Sequence, residues 1–513
     1  MRKDHFMLPS RHPQPLSVGV LLLFVLTLLS IESVRAAEPT APAGDLSHLE
    51  WMLPNAALKR PFAQQEPIRF VSRGSDKKLW ESLGKYWNET TEDVNDPVSG
   101  AKVTRKAVLI KLPLGLNLLP PVPPENPMTV ARWELGKRLY FDKALSSNGK
   151  VACASCHSPE TGFTDRSRFS TGINGLLGGM SAPTVINSAY NRFQFWDGRG
   201  ASLEDQAQGP VQNAVEMFDA KGHAWNEAIK RIRALKGYEK LFELEFGHPA
   251  TRDAVAKAIA TYERTVLAGN AIQDRAEVAM RTRVTEEDST NFTILPKDYE
   301  TVLKAAFAAK DNAPLEYLGL NPEKDAAKAP EVANRLDRGR ILYFGKAKCS
   351  NCHVGESFTD GLFHNLGVGV VDGKLPLGAL GRFGSQPTGH KDPSQIGAFK
   401  TPPLRALQYT NPYMHDGSEA TLEAVVDFYD RGGNANEYLD LKMRDVVAEA
   451  AYEKAMAEKK PWKGAEVKVF TKDGHPIIPL KLGLTADEKK DLVLFLRALE
   501  SGPVDAKVAD PKK

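Results

Sequence analysis

The chain of 513 residues has only four cysteines, no long apolar run after its first thirty residues, and almost no excess charge: 67 Lys+Arg stand against 64 Asp+Glu, a formal net charge of +3. Each scarcity excludes something. Four cysteines are too few for a disulfide scaffold, so each placement needs its own explanation. A net charge this small, with no Lys/Arg cluster, excludes nucleic acid or an anionic membrane as the main partner. With 42% apolar and 26% charged residues the chain sits among soluble globular proteins and not among disordered or fibrous ones. Its 40 Gly and 34 Pro have no period, which reads as a loop-rich fold with room for two or three domains. Strand-period alternation is scarce.

The N-terminus reads as an address. Arg2, Lys3 and Arg11 precede the apolar stretch Leu16 to Leu29, and Val34-Arg35-Ala36 offers small residues where a signal peptidase cuts. The apolar run is 14 residues long, short of the roughly 20 that cross a bilayer as a helix. A cleavable signal peptide over residues 1–36 is expected, with an uncleaved anchor as the alternative. The mature chain then works outside the cytoplasm without a stable membrane anchor.

All four cysteines fall in two copies of one pattern, Cys153-Ala-Ser-Cys156-His157 and Cys349-Ser-Asn-Cys352-His353. Two thiols three residues apart can form thioethers to both vinyl groups of one haem, while the next residue places an imidazole under the iron. Two redox disulfides or one shared zinc site are the competing readings, but neither needs a histidine at the fifth position. Two covalently bound c-type haems are therefore expected.

A longer repeat surrounds the motifs. Gly136-Lys137-Arg138-Leu139-Tyr140-Phe141-Asp142 precedes the first, and Gly339-Arg340-Ile341-Leu342-Tyr343-Phe344-Gly345 precedes the second. A separation of about 200 residues is far longer than a solenoid repeat. The expected fold is mainly α, loop-rich and with few strands, built from two cytochrome-c-like haem domains related by duplication. The boundaries read as an extension of unknown role over 37–112, an N-terminal haem domain over 113–325, a C-terminal haem domain over 326–502 and a polar tail over 503–513. Pro120 to Pro124 is a stiff linker, and Asn126-Pro127 has the form of an N-cap with proline in the first helical turn. Val255, Ile259, Tyr262 and Val266 share one buried helical face after Thr251. Thr485 to Glu488 is a capping box before Leu492, Phe495, Leu496 and Leu499. Residues 434–480 read as a Lys/Glu-rich surface insertion.

Whether these haems only carry electrons depends on their sixth ligands. The 65 residues after His157, as far as Gly222, contain no histidine, which leaves Met180 and Met217 as the nearby conventional ligands for the first iron. The same stretch holds Trp196, then Gln206, Pro210 and Glu216 beyond a helix start at Ser202. A carboxylate beside an open haem face can take a proton from hydrogen peroxide and return it to the departing oxygen.

The runs Gln194-Phe195-Trp196-Asp197-Gly198-Arg199, Leu203 to Met217, and Thr401-Pro402-Pro403-Leu404-Arg405 through Asn411 to Gly417 resemble the bacterial diheme cytochrome c peroxidase and MauG superfamily. The resemblance covers roughly residues 113–502. It implies a periplasmic peroxidase whose His157 haem reacts with hydrogen peroxide. Glu216 would be its acid-base residue, with Gln206 and Pro210 lining the distal pocket. The His353 haem would handle electrons, with Trp196 as a relay between the two. Members that need reductive activation place a blocking histidine in the loop after the first motif; this chain has none there, so an open first site is expected.

Members of that kind also place an axial methionine on the second haem, where this chain has Tyr429. The tyrosine shares a helical face with Leu422, Val425 and Val426. It is either a core residue or, as the resemblance to MauG implies, the sixth ligand of the second iron, with Met414 and Met443 as competitors. The family also binds calcium through an Asn side chain and two carbonyls, positions occupied here by Ser181, Thr410 and Pro412; a hydroxyl is a weaker ligand than an amide oxygen. The resemblance leaves the partner open between a small redox protein, a cytochrome c or copper protein, and a protein substrate oxidised at a distance, as MauG does. A non-catalytic electron carrier is the third reading, and relatives are often homodimers.

Overall fold

The computed structural model describes residues 60–219, 222–376 and 379–513. The expected leader and the first part of the extension lie outside them. No helix among the described residues is long and apolar enough to cross a membrane.

Two crossed helix pairs set the architecture. Val130–Phe141 packs on Arg252–Glu263, and Ala329–Phe344 packs on Ala486–Ala498. In each pair a glycine of the repeated run sits at the crossing: a methyl on Gly136 would overlap the Ala258 carbonyl, and one on Gly339 the Asp491 carbonyl. The backbones approach this closely only because no Cβ stands between them. The first crossing buries Trp133, whose indole Nε1 donates to Thr265 Oγ1 (2.7 Å). Around it lies an apolar core with Leu135, Leu139, Tyr140 and Ile259. The second crossing buries Tyr343, Leu492, Phe495 and Leu496. A third cluster, from helices Ile272–Glu286, Pro296–Ala309 and Ala329–Phe344, joins the two along the chain.

Helix starts follow local chemistry. Thr251, Thr421 and Thr485 cap their helices by accepting the backbone N–H three residues on, and Thr485 pairs with Glu488 in the expected capping box. One expectation fails. Asn126 is not the N-cap of the first haem-domain helix; Thr129 is, accepting from Arg132 N–H (3.2 Å). The buried Asn126 instead donates to Glu204 Oε1 and the Lys257 carbonyl and accepts from Arg132, tying three segments together.

The described part of the extension forms a three-stranded sheet of order β1-β3-β2, with β1 (Ile68–Val71) parallel and β2 (Trp87–Asn95) antiparallel to β3 (Lys102–Lys111). It is no separate appendage, since Ile68, Trp87, Val108 and Ile110 enter the first haem-domain core. The tail also folds back: Val508 is buried in that core, and its carbonyl accepts from the Tyr262 hydroxyl (3.0 Å). The 434–480 stretch holds helix Val446–Ala457 and a small hairpin, but Leu439, Met443 and Ile477 turn inward and pack near Tyr429.

A buried ion pair joins the segments that precede and follow the second haem motif. The Arg405 guanidinium holds both Asp274 carboxylate oxygens (2.7 and 3.0 Å) and also donates to the carbonyls of Gly115 and Glu356. Several hydrogen bonds surround this pair, the condition under which a buried charge is tolerated.

Gly136→Ala is expected to lower stability by about 1–3 kcal/mol through overpacking, even though alanine is the better helix former by about 1 kcal/mol. Gly84→Ala, where a methyl meets nothing within 4 Å, serves as the neutral control. Denaturant midpoints of the two variants check this; equal midpoints would contradict it.

Candidate haem sites

Both C-x-x-C-H motifs are held by the same set of contacts. Cys153–Cys156 is one helical turn and Cys349–Asn351 one 3-10 turn, and in each motif the histidine follows just beyond the turn; three residues apart on a helical turn, Cys153 and Cys156 share one face. His157 Nδ1 lies 3.2 Å from the Phe163 carbonyl, and His353 Nδ1 lies 2.9 Å from that of Phe358. A carbonyl only accepts, so Nδ1 carries the proton in both and Nε2 keeps its lone pair for a metal. Both phenylalanines are left-handed (φ 58° and 54°), a conformation that costs about 1–3 kcal/mol and aims the carbonyl at the ring. Tyr140 donates to the His157 carbonyl and Tyr343 to that of His353, each at 2.7 Å. Burial pulls both imidazoles below their ordinary pKa, which keeps them neutral as ligands must be.

The alternatives to haem fare worse. No disulfide joins any of the four cysteines. Among the described residues, the one His/Cys/Asp/Glu group close enough to hold an ion is Cys352, Asp360 and His364, so the two motifs do not converge on a shared zinc.

A mostly apolar cavity of about 230 Å³ opens beside the second motif, lined by Cys349, Cys352 and His353 on one side and by Val425, Val426 and Tyr429 on another. The donor set and the apolar lining fit a covalently attached haem. Tyr429 lies on helix Leu422–Asp430, as its periodicity predicts. Its hydroxyl has no hydrogen-bond partner among the described residues, whereas the fully buried Tyr140, Tyr238, Tyr262, Tyr299 and Tyr343 all have one. Burial raises the Tyr429 phenol well above its ordinary pKa. Met414 and Met443 line the same cavity, so the inward turn at Met443 brings a second thioether near.

Trp196 borders this cavity as well. Its Nε1 donates to the Ser181 carbonyl (2.9 Å), and its own carbonyl accepts from Lys400 N–H (2.8 Å). The His415 ring lies 6.4 Å from it and stacks on Phe399 at 3.5 Å. Burial pulls His415 down to about 4, so this ring is neutral.

From Trp196 the chain runs into the short helices Leu203–Gln206 and Gly209–Gln212, which carry Gln206 and Pro210, and then into the turn that holds Glu216. That turn wraps on Asn213: its carbonyl accepts from Glu216 and Met217 N–H, and its amide donates to Glu216 Oε1 (2.7 Å). Gly172 fits beneath it where a methyl would overlap the Val215 carbonyl, and Ile173 N–H bonds the Glu216 carbonyl (2.9 Å). Burial raises the Glu216 carboxyl above its ordinary value, with Arg199 opposing. The carboxylate is near enough to both Cys153 and Cys156 to act on them electrostatically. Met217 is buried in the apolar core, and Met180 is half-buried next to Ser181.

Comparison with known proteins agrees with this geometry. Residues 130–281 match the family described as di-haem cytochrome c peroxidase. The methylamine utilization protein MauG of Methylorubrum extorquens is 31% identical over 388 residues, 75% of this chain and 82% of that protein. The chain belongs to the diheme cytochrome c peroxidase and MauG family. Cytochrome-c peroxidase IdrP1 of a Pseudomonas species is 30% identical over 404 residues, covering 74% of this chain and 83% of the relative. The crystal structure of a MauG-like protein associated with microbial copper homeostasis superposes with a TM-score of 0.53 at 26% identity, covering 77% of this chain and 96% of that one.

Membership makes this diheme protein an oxidoreductase of the peroxidase type with two c-type haems. Two further buried titratable groups, His364 and Glu263, lie beside the cysteines and belong to no motif. His364 is clamped between Asp360 (2.9 Å) and Asp440 (2.7 Å) beside Cys352. Burial pulls its pKa down, but Asp440, Cys352 and Asp360 together outweigh that and raise it above its ordinary value. Glu263 is buried near Cys153 with Oε2 unpartnered, and burial lifts it to about 8. Only long-range packing reveals such groups.

The carbonyls of Thr410 and Pro412 accept no hydrogen bond among the described residues. The Ser181 hydroxyl instead donates to the Met414 carbonyl (3.2 Å).

Replacing Cys349 and Cys352 together by serine is expected to reduce covalent haem from two per chain to one, as read by haemochrome absorbance and intact mass. Two haems retained would contradict the assignment of the motif.

Proposed function

We propose that this diheme protein is an exported, periplasmic peroxidase that reduces hydrogen peroxide at the haem bound by Cys153, Cys156 and His157. The observation that carries this reading is Glu216, a raised, half-buried carboxyl beside the first motif in a segment without histidine. When bound, the haem iron supplies the electrons that split the O–O bond. The protein supplies the proton path. Asn213 fixes Glu216 Oε1, and Oε2 has no partner among the described residues. Glu216 Oε2 takes a proton from one peroxide oxygen and returns it to the departing oxygen, which leaves as water. Gln206 offers an amide that orients peroxide, and Pro210 an apolar wall with no N–H of its own.

Trp196 is assigned as the relay for charge towards the second haem. Its hydrogen bond to the Ser181 carbonyl fixes the indole plane, and the neutral His415 and Phe399 rings continue the aromatic wall. His353 Nε2 and the Tyr429 hydroxyl are assigned as the axial ligands of the second haem. A calcium ion at the Thr410 and Pro412 carbonyls, with Ser181 beside them, belongs to the same reading. The electron donor is a small periplasmic redox protein, a cytochrome c or a copper protein.

The unpartnered hydroxyl of Tyr429 favours a second reading, oxidation of residues on a partner protein. An anionic oxygen donor lowers the potential of an iron relative to methionine and stabilises its higher oxidation states. The second haem would then hold an oxidising equivalent as well as pass electrons. Steady peroxide turnover with a reduced cytochrome or copper protein supports the first reading, and its failure with such donors the second.

Glu216→Gln is expected to slow the peroxide reaction by about 10²–10⁴-fold with both haems attached. The wild-type rate should fall on the acid side as Glu216 takes up a proton, at a pH above the ordinary carboxylate range because burial raises this group. The variant should lack that acid limb. Stopped-flow mixing with peroxide across pH checks both, and an unchanged rate and profile would show that another group moves the proton.

Tyr429→Met is expected to convert the second haem's absorption spectrum to the His/Met type. An unchanged spectrum would mean that Tyr429 only packs; a wild-type spectrum already of His/Met type would point to Met414 or Met443.

A further inference from the structure

Lys400 ends the two-residue strand Phe399–Lys400 and is only 6% exposed. It lines the same cavity as Cys349, Cys352, His353 and Tyr429. Its Nζ makes no hydrogen bond and no ion pair among the described residues. The other buried cations among the described residues are all engaged: Arg105 with Glu92, Arg132 with Glu245, Arg264 with Glu204, Arg283 with Asp298, Arg405 with Asp274 and Lys257 with Asp253, while Lys137 donates to the Lys507 carbonyl. A buried ammonium has three donors to satisfy and a charge to compensate, and leaving it alone is strongly unfavourable. Burial pulls Lys400 down to about 8, with no carboxylate acting against it. The compensating anion must therefore come from whatever fills the cavity.

A haem joined to Cys349 and Cys352 brings two propionate carboxylates, the anionic groups of that cofactor. We propose that the Lys400 ammonium pairs with a propionate of the second haem and thereby sets that haem's reduction potential. The same residue binds the Trp196 carbonyl through its backbone N–H, so it couples the haem periphery to the segment that carries the indole. Lys400 is a positioning residue, one that touches neither the iron nor the peroxide. A positive charge at this place favours the ferrous over the ferric state, because the iron centre gains one positive charge on oxidation. The inference requires a covalent haem at Cys349 and Cys352 but not Tyr429 as its ligand, and the Tyr429→Met spectrum tests that ligand separately.

The experiment is a potentiometric titration of the holoprotein followed by absorbance, comparing wild type with Lys400→Met and Lys400→Arg, together with resonance Raman spectra of the propionate bending modes. Lys400→Met should shift the ferrous to ferric ratio of the second haem about tenfold towards ferric at fixed potential, 59 mV for one electron, and shift one propionate band. Lys400→Arg, which keeps the charge, should stay within about threefold of wild type. Should Lys400→Met lose the second haem while Lys400→Arg keeps it near the wild-type potential, the pairing is also supported, because the charge is then needed to seat the haem. An unchanged potential and Raman spectrum in Lys400→Met, or equal damage in both variants, would overturn the proposal in favour of simple packing.

Discussion

The arrangement depends on one hydrogen bond made twice, from the Nδ1–H of a haem-motif histidine to the carbonyl of a left-handed phenylalanine. It fixes the tautomer, turns Nε2 towards the metal position and strengthens the imidazole as a donor. The helix crossings at Gly136 and Gly339 serve it by bringing Tyr140 and Tyr343 against the carbonyls of His157 and His353. With the proximal sides built alike, the chemical difference between the two sites lies on their other faces. A carboxyl, raised by burial, stands by the first motif, and a phenol without a partner stands by the second.

The contacts between these faces are mainly backbone and aromatic. Ser181 accepts the indole N–H of Trp196 through its carbonyl, while its own N–H donates to the carbonyl of His415, so the loop after the first motif is stitched to the turn that precedes the Tyr429 helix. Arg405 and Asp274 add a second seam deep in the protein. Buried pairs of this kind give little net stability compared with apolar residues of the same shape, but they penalise any arrangement that separates the charges. The relay proposed for Trp196 would gain from such a penalty.

What the sequence discloses here follows from how local the chemistry is. Thioether attachment demands two cysteines and a histidine at fixed spacing, so the haem motifs are legible outright, and the helix carrying Tyr429 shows its inner face in its period. The sheet at 68–111 is hidden because β2 is an exposed edge of Asn, Glu, Thr and Asp, which shows no apolar alternation. Asn126 mimics a cap because its sequence context is that of one, while its amide is in fact recruited by Glu204 and Lys257, far away in sequence. Lys400 is invisible for the same reason: it lies in an irregular stretch, and only the folded cavity reveals that it turns inward. The tail at 503–513 reads as polar, yet one valine, Val508, anchors it.

The central claim is that the iron held by His157 keeps a coordination position free for peroxide while that held by His353 does not. The electron paramagnetic resonance spectrum of the resting ferric holoprotein tests this most directly. The account predicts one high-spin and one low-spin ferric haem in equal amounts. Two low-spin signals, with no high-spin component at any pH at which the protein is folded, would contradict it and leave a protein built only to conduct electrons.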